Sequence, residues 1–225
     1  MRPFETLDRS PTADGTVLSL HHRDGDYFIH LDGEELMSTR RTGSESALAT
    51  LACQRLQDLR RPRVLIGGLG FGYTLRAALE AVPPGAEIVV AEIYSSVVRW
   101  NREFLEPLHR QTLEDERVVI QNANVWDLLD GRQSFDVILL DVDNGPSAWC
   151  LGSNGRLYDR KGLERIQASL TPRGVLAVWS AYADEAFVKR LKKSGFSTRV
   201  ERVRDHHRKG AQHTIFIASR AAEWS

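Results

Sequence analysis

Apolar and polar residues alternate with a period of two in the first forty positions of the chain. Residues 16–22 and 27–31 each follow this pattern, which predicts two strands exposed on one face. Asp24-Gly25 lies between them and Asp32-Gly33 follows the second, and both pairs favour tight hairpin turns. Leu36 and Met37 extend the pattern into a third short strand. This part of the chain therefore predicts a small antiparallel β-sheet.

Continuous apolar runs and helical patterns alternate through the rest of the chain, which is typical of an α/β fold. Short apolar runs predict strands at residues 64–66, 88–91, 118–121, 135–140 and 175–179. Helical spacing of apolar residues predicts helices at residues 44–59, 95–105, 125–129, 157–170 and 184–194, with Ser44 as the first N-cap. A further helix follows the first strand of the sheet, with Leu75, Ala78, Leu79 and Val82 on one face, and Pro83 ends it. Residues 171–174 predict a turn, and residues 197–203 and 214–218 predict an antiparallel pair.

The predicted fold class is α/β, with a doubly wound, mostly parallel Rossmann-like sheet and a small N-terminal antiparallel β appendage. We assign residues 1–42 to the appendage and residues 43–225 to the Rossmann-like domain. In such sheets, ligands bind at the carboxyl ends of the strands, near the point where the strand order reverses.

Four glycines follow the first strand of this sheet, in the segment RVLIGGLGFGYTLRAALE. They are Gly67, Gly68, Gly70 and Gly72, and the acid Glu92 ends the next strand. Glycines let a ligand approach the backbone, the following helix directs its N–H groups at it, and the acid can accept two ribose hydroxyls. The alternative is a glycine turn that serves only close packing of helix and strand.

The glycine turn also indicates the kind of cofactor. Residues 67–72 contain no Lys or Arg, and no GK[ST] motif follows, so the turn lacks the usual partners of phosphates. This favours S-adenosylmethionine or a relative of it over a dinucleotide.

Polar residues also follow the third and fourth strands of the predicted sheet. Asn124, with Val125 beside it, can read an adenine amino group, although Asn is also common in turns. Asp141 ends the apolar run FDVILL, and there it can hold or deprotonate an amine; the alternative is a helix or loop cap. These residues share an edge of the sheet with the glycines and Glu92.

Further substrate contacts are predicted in and after the loop that follows Asp141. Asp143 and Asn144 are candidate substrate-binding residues, and Tyr158 either borders the substrate cleft or is a core aromatic residue. His206, His207 and His213 lack companion ligands at metal spacing, so no metal is expected.

Charge and cysteine content narrow the possible partners. The chain has 30 basic and 30 acidic residues, so no overall basic field favours nucleic acid or an anionic membrane. Two cysteines, the lack of a membrane-length apolar run and the lack of a signal-peptide pattern predict a cytoplasmic protein.

These motifs together resemble the spermidine synthases, the polyamine aminopropyltransferases. VLIGGLGFGYTLRAALE is similar to the family's VLxIGGGDGGTLRE, ANVWDLL to GDGxxFL, and FDVILLDVDNGP to YDVIIxDSSDP; VVAEIYSSVV holds the matching acid, Glu92. The resemblance implies a methyltransferase-type sheet behind a small β-domain, with decarboxylated S-adenosylmethionine as donor and methylthioadenosine as product. It also implies that Asp141 helps to deprotonate an attacking amine, the small-molecule partner.

Several residues depart from the family pattern, mostly on the polyamine side. The family's Asp in GGGDGG falls on Phe71, its LDGxxQ glutamine on Leu36, the second Asp of DSSDP on Asn144 and the Asp of GDG on Asn124. The Tyr and His of its YHE segment fall on Gly43 and Ser44, and only Glu45 remains. Putrescine is therefore in doubt as the acceptor, because a dication taken from water needs paired carboxylates.

Three functional hypotheses follow. The first is a spermidine synthase-like transferase that uses decarboxylated S-adenosylmethionine, or S-adenosylmethionine, to alkylate an amine. The second is an S-adenosylmethionine-dependent methyltransferase, whose product is S-adenosylhomocysteine. The third is a non-catalytic nucleoside-binding homologue. A homodimer is expected in each case.

Overall fold

The computed structural model describes residues 3–40, 43–109, 112–132, 134–142, 145–146, 154–204 and 211–220. Within these residues the chain forms two β-sheets and eight α-helices. None of the helices in these ranges is long and apolar enough to cross a membrane.

The N-terminal sheet is antiparallel, with its four strands in chain order. Its hairpin turns are those predicted, because Asp24 and Gly25 (φ 52° and 90°), like Asp32 and Gly33 (φ 49° and 88°), have the positive φ of tight hairpins. The strands are β1 (Glu5–Pro11), β2 (Val17–Arg23), β3 (Asp26–Leu31) and β4 (Glu34–Ser38). The edge strand β1 was not predicted, because its sequence ETLDRSP contains a single large apolar residue.

The second sheet has seven strands in the order β10-β11-β9-β8-β5-β6-β7. The strands β5 to β9 pair in parallel, while β11 pairs antiparallel with β9 and β10. Their bounds are β5 (Arg63–Gly67), β6 (Glu87–Ala91), β7 (Val118–Gln121), β8 (Phe135–Leu140), β9 (Leu170–Ser180), β10 (Ser197–Arg204) and β11 (Gln212–Ser219). The first strand of this sheet in the chain, β5, lies inside the sheet. The strands β6 and β7 follow on one side of it, and β8 and β9 lie on the other, so the strand order reverses between β5 and β8, as predicted.

Helices cover both faces of this sheet, which explains the continuous apolar runs of its central strands. In β5, Val64 and Ile66 belong to one core cluster and Leu65 to the other. The helices are α1 (Gly43–Cys53), α2 (Tyr73–Ala81), α3 (Ser95–Glu103), α4 (Glu106–His109), α5 (Val125–Leu128), α6 (Gly155–Tyr158), α7 (Arg160–Ser169) and α8 (Glu185–Lys193). The predicted doubly wound fold with an N-terminal appendage is confirmed.

Four local predictions are wrong. The helix predicted for residues 44–59 ends early, because α1 stops at Cys53 and only a 3₁₀ turn, Gln54–Leu56, follows. The helix predicted for residues 157–170 is divided into α6 and α7 at Asp159, whose side chain caps α7 by accepting a hydrogen bond from the Gly162 amide. The turn predicted for residues 171–174 lies inside β9, where a register shift accommodates the extra residues. Ser44 is buried within α1, which already includes Gly43, so it is not the N-cap.

The N-terminal sheet packs against the large domain over the carboxyl edge of the parallel strands. Leu18 and Leu20 of β2 and Ile29 of β3 share a buried cluster with Leu75 of α2 and Val97 of α3. This packing places the small sheet beside the ends of β5 and β6, where the glycine turn and Glu92 lie.

Candidate functional site

A cavity of about 320 Å³ lies between the N-terminal sheet and the carboxyl ends of the parallel strands. Four neighbouring strands each contribute one residue from just beyond their carboxyl end. These residues are Gly68 after β5, Glu92 after β6, Asn124 after β7 and Asp141 after β8. The predicted meeting of strand ends at one crevice is therefore present.

The glycine turn has a backbone that side chains would disrupt. Gly68, Gly70 and Gly72 have φ values of 88°, 51° and 80°, in the left-handed region that favours glycine. A Cβ on Gly68 would lie 2.5 Å from the carbonyl oxygen of Asp141. The close approach of two strand ends thus depends on Gly68.

The four glycines do not share one role. Gly68 and Gly70 line the cavity, which supports a direct contact with a cofactor. A Cβ on Gly67 would instead meet Val125, Val142 and Leu140, and Gly72 is backed by His109 and Asn101. Gly67 and Gly72 therefore serve the packing of the turn, as in the alternative weighed for the motif.

Asn101 and His109 support the turn from behind. Asn101, fully buried in α3, donates from Nδ2 to the carbonyl oxygens of Gly70 at 2.8 Å and Val97 at 2.9 Å. His109 Nε2 lies 3.0 Å from the carbonyl oxygen of Asn101, and burial lowers the pKa of His109. A neutral imidazole that donates from Nε2 fits this contact. No motif pointed to these two residues.

Glu92 is buried, and its carboxylate accepts hydrogen bonds from two backbone amides, one in the glycine turn and one in the loop after β6. Its Oε2 accepts from the Leu69 amide at 2.9 Å and its Oε1 from the Tyr94 amide at 2.8 Å. Burial raises the pKa of this carboxyl, and the backbone amides oppose that rise. Each oxygen keeps acceptor capacity, so the pair can accept two neighbouring hydroxyls of a ribose.

Asp141 lines the cavity beside Gly68 and is fixed at two points. Its amide donates to the carbonyl oxygen of Gly67 at 3.0 Å, and its Oδ2 accepts a hydrogen bond from Thr74 Oγ1 at 2.8 Å. Thr74 is buried in the first turn of α2. It was missed because a threonine inside a helical pattern carries no signal of a partner elsewhere in the chain.

Asn124 and Val125 also line the cavity, but Asn124 has a structural role as well. Its Oδ1 caps α5 by accepting from the Trp126 amide at 2.9 Å. The neighbouring Asn122 donates from Nδ2 to the carbonyl oxygens of Glu92 and Ile93, at 2.8 and 3.0 Å, and so fixes the loop after β6. Asn124 therefore caps a helix after a turn and also lines the cavity, so both alternatives considered for it apply.

The remaining predicted contacts differ in position. Asp143 and Asn144 lie outside the described residues. Tyr158 is 3% exposed and packs edge-to-face against Phe187 in the core, so its predicted substrate contact is not supported. Phe71 is likewise buried in the core cluster beside Tyr73, not in the cavity wall.

Among the described residues, no group of three or more His, Cys, Asp or Glu side chains is placed to hold a metal ion.

The wall opposite the glycine turn was not predicted, apart from Leu36, which the family resemblance placed on the polyamine side. The N-terminal sheet supplies it, with Asp14 and Thr16 at the β1–β2 turn and apolar side chains beyond them. The sulfur of Met37 lies 3.4 Å from the position that a Gly70 Cβ would take, so this wall touches the turn itself. The apolar members are Leu18, Ile29, Leu31, Leu36 and Met37.

Comparisons with known proteins find similar sequences and similar folds. A polyamine aminopropyltransferase of Synechococcus sp. is 31% identical over 121 residues, which cover 52% of this chain and 36% of that protein. A spermidine synthase structure in complex with the transition-state analogue AdoDATO superposes with a TM-score of 0.73 at 18% identity, over 97% of this chain and 73% of that one. Human methyltransferase-like protein 13 in complex with SAH gives a TM-score of 0.62 at 21% identity, over 80% and 83% of the two chains.

These findings confirm the resemblance to polyamine aminopropyltransferases and the methyltransferase-like fold. No family model matches the chain. The sequence match spans little more than a third of the Synechococcus protein's length.

Proposed function

We propose that this protein is an aminopropyltransferase-like enzyme that alkylates a small amine, with decarboxylated S-adenosylmethionine as donor. One observation carries the proposal: Glu92 and Asp141 reach the same cavity and are both attached to the glycine turn. Leu69 of the turn donates to Glu92, and the Asp141 amide donates to Gly67. The similarity to aminopropyltransferases supports the same conclusion.

Glu92 and the turn hold the nucleoside end of the donor in this proposal. The two carboxylate oxygens accept the ribose hydroxyls, and Gly68 and Gly70 allow the sugar and sulfur to lie close to the backbone. Ile93, Asn124 and Val125 line the part of the cavity next to Glu92 and are the proposed adenine contacts.

Asp141 acts on the acceptor amine. Its carboxylate takes a proton from the ammonium form, which exposes the nitrogen lone pair for attack on the carbon next to the sulfonium. The new C–N bond forms as the C–S bond breaks, and the electron pair of that bond returns to sulfur to give methylthioadenosine. The enzyme contributes mainly alignment and removal of water from the two reactants.

Calorimetry with three nucleosides tests the donor. We expect decarboxylated S-adenosylmethionine and methylthioadenosine to bind, and methylthioadenosine to accumulate when an amine is added. Binding of S-adenosylmethionine alone would contradict aminopropyl transfer and favour a methyltransferase. Binding of none of the three would contradict both the transferase and the methyltransferase.

Substrate contacts by Asp143 and Asn144, homodimer formation and a cytoplasmic location stay predictions from the sequence.

A further inference from the structure

The cavity wall formed by the N-terminal sheet is apolar over three successive strands. Leu18 of β2 and Ile29 of β3 are almost completely buried, at 0% and 1% exposure. Leu31 of β3 and Leu36 and Met37 of β4 are partly buried and continue the same surface. Away from Asp14 and Thr16 at the β1–β2 turn, a ligand that touches this wall meets side chains without hydrogen-bonding groups, apart from the weakly accepting thioether of Met37.

This wall borders the place where the reaction would occur. The Met37 sulfur lies 3.4 Å from the position of a Cβ on Gly70, and the Asp141 carbonyl oxygen lies 2.5 Å from that of a Cβ on Gly68, two residues earlier. A nucleoside with its ribose on Glu92 and its sulfur over the turn would therefore present the reacting carbon between Asp141 and the apolar wall. An amine that approaches Asp141 extends its remaining atoms along Leu36 and Met37.

Carboxylates are few among the described residues that line the cavity. Glu92 is committed to the ribose in the proposed function, and Asp141 to the reacting nitrogen. Asp14 lies on the exposed β1–β2 turn, where its Oδ1 accepts hydrogen bonds from the hydroxyls of Thr12 and Thr16. A second ammonium group held against Leu36 would lose its water without gaining a carboxylate partner among the described cavity residues, which is unfavourable.

We propose that the acceptor is a monoamine with an apolar tail, not a diamine. This inference rests on the proposed function, since it takes Asp141 as the site of the reacting nitrogen. The ammonium of such an acceptor contacts Asp141, and its alkyl chain buries apolar surface against Leu31, Leu36 and Met37. A diamine of the same length would place its far ammonium on that surface.

Binding to the protein saturated with methylthioadenosine tests the inference without requiring turnover. By titration calorimetry, we expect butylamine to bind at least about tenfold more tightly than 1,4-diaminobutane. Leu36→Asp places a carboxylate in the wall and should reverse this preference, and Leu36→Gln should weaken it. Leu59→Asp is the matched control, because Leu59 is 41% exposed and lies outside the cavity; it should leave the ratio unchanged.

The outcomes separate this inference from the proposed function. Diamine binding as tight as that of butylamine, no binding of either amine, or an unchanged ratio in a folded Leu36→Asp variant would overturn the inference. If butylamine binds but no methylthioadenosine forms from the decarboxylated donor, the proposed transferase function would be contradicted. The inference that the wall binds a monoamine with an apolar tail would still stand. Failure of methylthioadenosine itself to bind would overturn both.

Discussion

Thr74 and Asp141 are 67 positions apart in the chain, and the hydroxyl of Thr74 donates a 2.8 Å hydrogen bond to Oδ2 of Asp141. Thr74 lies in the first turn of α2, directly after the glycine turn, and Asp141 follows β8. The backbone that shapes the nucleoside site therefore also orients the proposed base.

Replacing Thr74 tests this coupling. Thr74→Val keeps the shape of the side chain and removes the hydroxyl, so the carboxylate loses a hydrogen bond worth about 1.5–3 kcal/mol. We expect kcat to fall about tenfold or more while methylthioadenosine binding stays unchanged. Thr74→Ser, the control, should retain most of the rate. Equal rates for the two variants would show that the contact does not position Asp141.

Asp141→Asn tests the proposed base itself. The amide keeps the size of the side chain and can no longer take up the proton, so we expect turnover to fall by about 10²–10⁴-fold. The affinity for methylthioadenosine, measured by calorimetry, should change little. An intact rate in this variant would show that Asp141 is not the base.

Removal of the Glu92 carboxylate tests the ribose contact. Glu92→Ala should weaken methylthioadenosine binding by about 1–3 kcal/mol, because the ribose hydroxyls would be buried without acceptors. Adenine alone makes no ribose contact and is the control ligand; its affinity should change less. A similar loss for both ligands would indicate a general collapse of the cavity.

The protonation of Glu92 makes nucleoside binding depend on pH. Burial raises the pKa of Glu92, and the ionised form is the better acceptor of two hydroxyls. Affinity for methylthioadenosine should therefore weaken as the pH falls through this raised pKa, at a higher pH than the protonation of an ordinary glutamate would require. In the free protein the sign is opposite: the free energy of unfolding falls as the pH rises from the ordinary glutamate pKa through the raised one. Glu92→Gln should abolish the pH dependence of binding. If the pH dependence persisted in this variant, another group would be responsible for it.

Gly68→Ala tests the close approach of the strand ends. Its Cβ would lie 2.5 Å from the Asp141 carbonyl oxygen, and φ is 88°, so both a clash and backbone strain are introduced. Gly25→Ala is a matched control, since Gly25 has φ 90° and nothing within 4 Å of the added Cβ. Strain alone costs about 1–3 kcal/mol, so Gly68→Ala should destabilise by more than Gly25→Ala in denaturant unfolding. Equal losses would mean that the turn adapts to the side chain.

The sequence by itself determined the parallel sheet, its reversal point and the acid beside the glycine turn. The apolar run Phe135–Leu140 coincides with β8, because a strand covered on both faces must be largely apolar. Glycine spacing and the Asp-Gly pairs report local backbone geometry, which neighbouring residues largely decide.

Only the tertiary structure decided which distant side chains meet. The partners Thr74 and Asp141, the support of Gly70 by Asn101 and the apolar wall that ends at Met37 join residues far apart in the chain. Tyr158 shows the same limit, since the sequence left a cleft position and a core position equally open and packing placed it in the core. Periodicity tells which face of an element is buried, but the residue that it is buried against depends on how the elements pack.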